Sequence, residues 1–268
     1  FNMREDIDNP VIPDEDWHEK RFSLFEQYCY PSVKSQINNN FKWLVFFDTL
    51  TPKRFLDRIE SYKNLPNFIP IFSDDLSFFR KHIKNYIQNE AEYLITSRLD
   101  NDDAISNDFI ENIQRQINCQ EFEFINFYDG YILYKDKLYK HKDKSNAFLS
   151  LIEKTTDEPY KTVWCVMHHK AAVIGNITQI NNTPAWLQII HATNVSNRIK
   201  GIRTKNYDTI EKKFAVNFQG NNGFINYYFD LLCFCPLRTI REGLIKLLKK
   251  TVDDSLINHI KNLIFRKK

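Results

Sequence analysis

Glycine is scarce, at 6 residues in 268. So little glycine excludes a collagen-like repeat, a Gly/Ser linker or a low-complexity tract. No GxxxxGK[ST] occurs, which excludes a P-loop. No apolar run approaches the roughly 18–20 residues that a membrane-spanning helix needs. An excess of one charge is missing too: 37 Lys and Arg against 34 Asp and Glu leave a net +3, which gives no case for a nucleic-acid partner. Cysteine is limited to Cys29, Cys119, Cys165, Cys233 and Cys235. The number is odd and no pair has CxxC spacing. Neither a zinc site nor a disulfide framework is expected, and a reducing, cytoplasmic setting is the simplest reading. Cys233 and Cys235 sit in an apolar run and read as small buried residues. The start, Phe1-Asn2-Met3-Arg4, is neither a signal peptide nor an initiator-Met start, so residues upstream are expected.

What is present is uneven. Residues 1–30 hold 3 basic and 8 acidic residues, whereas residues 237–268 hold 9 basic and 3 acidic. No linker divides the chain, so 1–236 read as one domain and 237–268 as a basic, amphipathic helical appendage, broken near Thr251–Asp254. The appendage is expected to cover the core, with contact to an anionic membrane as the alternative. The first half alternates helix and strand. A helix over 21–37 is interrupted by Pro31. Strands are predicted at 41–47, 67–72 and 93–97, each ending in acids, and helices at 54–62, 76–88 and from about 104 to 117. This alternation predicts a mainly parallel central sheet flanked by helices, with ligands beyond the carboxyl ends of its strands. Further on, strands are expected at 121–128 and 130–134 around an Asp129-Gly130 hairpin signal, a helix at 146–154 and a strand at 162–167.

The sharpest feature is Asp100-Asn101-Asp102-Asp103 after a strand. Three carboxylates in four residues repel one another without a cation. Hard oxygen ligands suit Mg²⁺ or Mn²⁺, which take their remaining ligands from water and phosphates. The same run also suits an acidic helix N-terminus, a role Asp103 alone can fill.

Asp100-x-Asp102 at a strand end resembles the DxD motif of GT-A glycosyltransferases. Arg21, Leu24, Pro31–Gln36 and Phe41–Asp48 are similar to the opening of family-2-type enzymes. Closer still is the rhamnosyltransferase family, through Phe1–Arg4, Phe25–Ser32, Ser97–Ala104, Asn146–Glu153 and Trp186–Ser196. This likeness covers about residues 1–200 and sets the family's first strand ahead of Phe1. It implies a GT-A fold and transfer of a sugar from a nucleotide-diphosphate-sugar to a glycan or lipid-linked acceptor, with inversion, in a protein that is cytoplasmic or peripheral at the inner face of the membrane. Asp48 would meet the base edge, and Arg4 and Arg98 would lie near the nucleotide. Asp102 would bind the metal, Asp100 the ribose or the metal, and His191 would close the metal or diphosphate site. Glu153 would be the general base, with Asp129 in reserve. Two alternatives stay open: a non-catalytic nucleotide- or glycan-binding protein on a degenerate GT-A fold, and a metal-dependent phosphotransferase.

Overall fold

A computed structural model describes residues 1, 13–74, 83–87, 91–155, 160–181, 183–191, 198–218, 220 and 223–251, with the side chains of 246–251 left out. The chain opens on α1 (Glu15–Leu24), capped by the Asp14 carboxylate, which accepts from the Trp17 amide. A π turn at Phe25–Cys29 leads into α2 (Tyr30–Lys34). Proline has no N–H and crowds the preceding turn, so widening that turn lets one helical path pass Pro31.

β1 (Trp43–Phe47) and β2 (Phe68–Phe72) pair in parallel, with Trp43 beside Phe68, across a crossover that contains α3 (Leu56–Ser61). Phe22, Phe25, Phe47, Phe55, Tyr62 and Phe68 pack between this pair and the opening helices as one aromatic core. β3 (Tyr93–Ser97) follows, then the acidic loop, the short β4 (Ala104–Ile105) and α4 (Phe109–Gln114). Next come β5 (Phe122–Phe127), β6 (Asp129–Tyr134), β7 (Lys137–Lys142) and β8 (Ser150–Lys154). The remaining elements are α5 (Ala171–Ile174), β9 (Ile177–Ile180), β10 (Trp186–Ile190), β11 (Ile202–Thr204), α6 (Asp208–Phe214), α7 (Phe224–Phe229) and α8 (Cys235–Thr251). Two further sheets run in the orders β3-β8-β5-β9 and β11-β7-β6-β10-β4.

The fold is α/β, but the expectation of a mainly parallel sheet is corrected. Only β1–β2, β5–β9 and β6–β10 pair in parallel, and the other five described pairings are antiparallel. β8 enters reversed between β3 and β5, and Lys135-Asp136 joins β6 to β7 as a tight hairpin, a connection only antiparallel strands accept. That is the true hairpin. Asp129-Gly130 is none: β5 and β6 lie in different sheets. Gly130 is needed for another reason, since a Cβ there would stand about 2.0 Å from the Trp186 indole.

The predicted helix at 146–154 is also a strand from Ser150. Leu149, Leu151 and Ile152 are all buried, and a short strand covered on both faces cannot be told from a buried helix by periodicity. The predicted strand at 162–167 forms a 3₁₀ turn at Val163–Cys165 instead, because side chains rather than a neighbouring strand take its amides. The predicted helix at 76–88 lies mostly outside the described residues. All five cysteines are free, as expected, but Cys233 is exposed and Cys235 half-buried rather than in the core. Among the described residues no helix is long and apolar enough to cross a membrane.

Candidate functional site

The site starts where β3 ends. Thr96 and Arg98 are buried, and the Arg98 amide donates to the Leu149 carbonyl, so the strand holds its line until the loop begins. The three aspartates of that loop then part ways. Asp103 is buried, and its Oδ1 accepts from the Ile189 amide at 2.7 Å, tying the loop to β10. Burial, Asp102 and Asp100 push its carboxyl well above the usual range. It precedes β4, not a helix, so the helix-terminus role does not apply.

Asp102 is buried as well. Its Oδ2 accepts from Arg21 Nη1 at 3.0 Å and stands 2.7 Å from His191 Nε2. α1, the acidic loop and the end of β10 thus converge on one carboxylate from positions some 80 to 90 residues apart. Asp100 reaches solvent, yet protein crowds it on its other sides. That desolvation and the neighbouring Asp102 push its carboxyl up.

Arg98 brings positive charge to the same strand end. It is 9% exposed, its Nε and Nη1 have no partner among the described residues, and its guanidinium stacks over the Trp164 ring at 4.1 Å. Orphaned buried donors are costly, about 1–3 kcal/mol each, and are found where a ligand supplies the missing acceptor. His168 lies close enough for Arg98 to act on it. Burial first, then Arg98, lowers its imidazole to about 4, and its Nδ1 is buried without a partner among the described residues. Asp48 ends β1; its Oδ1 accepts from the Leu50 amide and fixes the turn that follows.

The structure does not bring Glu153 to this cluster. On β8 it pairs with Leu94, three residues and about 10 Å back along β3 from Ser97, at the end away from Asp100. Its two oxygens accept from the Lys161 and Thr162 amides at 2.9 and 2.8 Å. Thr162 has φ +57°, rare for a β-branched residue, so Glu153 holds a strained turn. From there Val163 donates to Thr96 Oγ1, and the segment returns along β3 to set Trp164 over Arg98. A shallow cleft lined by Glu121, Phe122, Lys154 and Lys161 opens beside Glu153. Asp129 is equally remote. It opens β6, whose opposite end, Tyr134, lies beside Ile190 and so nearest His191. The structure thus sets Glu153, the expected general base, and Asp129, the reserve, apart from the acidic loop, with Glu153 on a strand where a helix was expected. Arg4 lies outside the described residues.

Sequence reasoning missed Trp164 as a site residue, offered His168 only as one of a histidine pair of which one could face the site, and gave Arg21 no role. Only the order of residues at the strand end, Arg98 before Asp100, hinted that a buried cation would need a cover.

A family profile described as "Putative rhamnosyl transferase" matches residues 7–203, nearly three quarters of the chain. No curated protein and no solved structure matches it.

Proposed function

This chain belongs to the family described as putative rhamnosyl transferases, and from that premise we propose that it moves a sugar from a nucleotide-diphosphate-sugar to a glycan or lipid-linked acceptor. One observation carries this reading: Asp100 and Asp102 follow β3 side by side, with the unpartnered buried donors of Arg98 next to them. Acids beside an orphaned guanidinium suit a ligand that is both cation-bound and anionic, as a metal-bound diphosphate is. Mg²⁺ or Mn²⁺ is held by one or two carboxylates plus substrate phosphates, so Asp100 and Asp102 suffice, with His191 as a further donor. Among the described residues no group of three His, Cys, Asp or Glu side chains is assembled for a metal. Arg21 supplies the positive charge at Asp102 in this form of the protein. When bound, the metal neutralises charge on the departing diphosphate.

The chain's own residues do the rest. Asp48 accepts from the nucleotide base edge, and Arg98 binds a diphosphate oxygen. In an inverting displacement the acceptor oxygen bonds to the anomeric carbon as the bond to the diphosphate breaks, and the acceptor loses its proton. His168 is our choice to receive it. Its imidazole is uncharged at neutral pH, and an anion bound at Arg98 offsets the positive charge that holds its basicity down.

Calorimetry with UDP, GDP and dTDP, each with Mn²⁺ or with EDTA, tests the reading. At least one nucleotide should bind only with metal, and at 100 times its Kd it should stabilise the fold by about 2.7 kcal/mol. No binding under any condition would overturn it. Metal-independent binding without turnover would favour a binding protein on the same fold. His168→Gln should lower turnover roughly 10²–10⁴-fold with nucleotide affinity unchanged.

A further inference from the structure

α7, the π turn Asp230–Phe234 and α8 form one helical arm over residues 224–251. Its charged groups Asp230, Arg238 and Arg241 face the body of the protein. Asp230 is 6% exposed, accepts from Arg238 Nη2 and Nη1 at 2.7 and 3.2 Å and lies 3.3 Å from the Tyr139 hydroxyl. Arg203 donates to the Asn226 carbonyl and Arg241 to that of Ile199, each at 2.8 Å. A stripe of its apolar side chains points the other way. Ile225, Phe229, Leu232, Leu237, Ile240 and Leu244 are 56–81% exposed. The wide π turn adds a residue to one turn, so the five-residue step from Leu232 to Leu237 keeps the stripe on one side.

A surface helix in water buries its apolar stripe and exposes its charges. This arm does the reverse, and a contiguous apolar face of this kind marks a binding surface. Charge selects the partner. Residues 237–268 carry 9 basic against 3 acidic residues, and Lys246, Lys249 and Lys250 follow directly on the stripe. A second copy would bring two such basic tails together, which repel. An anionic surface attracts them. An apolar stripe with Phe and Leu beside a lysine cluster is the pattern of a helix that lies in a bilayer interface. We propose that this arm seats the protein on an anionic lipid bilayer, with the stripe at the headgroup boundary and the basic C-terminal sequence drawn to the negative surface charge. The attachment is independent of the transfer chemistry.

Co-sedimentation of the full chain with vesicles rich in phosphatidylglycerol, against pure phosphatidylcholine, tests it. Binding should be at least about tenfold stronger to the anionic vesicles and should weaken as salt rises. The exposed-site variant Leu232→Asp/Ile240→Asp should keep its melting temperature and lose binding to both vesicle types. Lys246→Glu/Lys249→Glu/Lys250→Glu should lose the preference for anionic lipid. Equal sedimentation of the aspartate variant and the parent would overturn the proposal. So would a lipid-free dimer, seen by light scattering, that the two aspartates dissociate, because a second copy would then cover the stripe.

Discussion

Asp102 and Glu153 are both buried carboxylates set against the same strand, and they differ in what holds them. Asp102 meets ionisable side chains, Arg21 and His191, from segments far away in sequence. Glu153 holds backbone amides eight and nine residues ahead of it. Side-chain partners can turn away and be replaced by a ligand. Backbone amides cannot leave without the turn unfolding. Burial alone therefore does not separate a carboxylate free to meet a ligand from one fixed in a turn; the nature of its partners does.

The sharpest way to break this comparison is Asp102→Asn. Loss of the charge should reduce turnover roughly 10²–10³-fold, the range seen when one transition-state charge stabiliser is removed, and should abolish metal-dependent nucleotide binding in calorimetry. Unchanged binding would reduce Asp102 to a counter-ion for Arg21. Next in size is Glu153→Gln. One of its two amide contacts then faces an NH₂ group, at a cost of about 1–3 kcal/mol in denaturant unfolding, with nucleotide affinity intact. A normal unfolding midpoint with turnover lost would reverse the two roles.

The remaining test is a pH dependence. Burial and Arg98 lower His168 from 6.5 to about 4. Above pH 6.5 the imidazole is neutral in folded and unfolded chains alike. Between 6.5 and 4 the unfolded chain takes a proton that the folded one refuses, so stability declines as pH falls through that window and levels off below it. In His168→Gln the melting temperature should fall less over the same interval. Parallel curves for variant and parent would show that His168 is not desolvated.

Much of the first half was legible in the sequence. β3 spans the predicted Tyr93–Ser97, because its run of β-formers ends abruptly at charged residues, and Asp100 and Asp102 stand at its carboxyl end as expected. The interruption at Pro31 is the π turn. What stayed hidden is long-range. Asn146–Lys154 is apolar enough for either helix or strand, and only pairing with β3 and β5 decides. That one choice moved Glu153 from the site to the far end of the sheet. Arg21 matched the family's opening, but no local pattern says that its guanidinium crosses 81 residues of sequence to reach Asp102. Trp164 lay hidden because its segment makes no ladder: its amides are taken by Thr162, Thr96 and Glu153 side chains.

The spans that close on the acidic loop also bear on how the protein acquires its site. The contacts of Asp102 with Arg21 and His191, and of Asp103 with Ile189, close loops of 81, 89 and 86 residues. Loop closure is paid in entropy before any contact repays it, and contacts of such separation slow folding. β1 and β2 can pair early through their short crossover, whereas the acidic loop gains its partners only after β10 has been synthesised and docked. During synthesis the three aspartates thus remain a repelling, solvated cluster until the last of these strands arrives. Completion of the site reports completion of the domain.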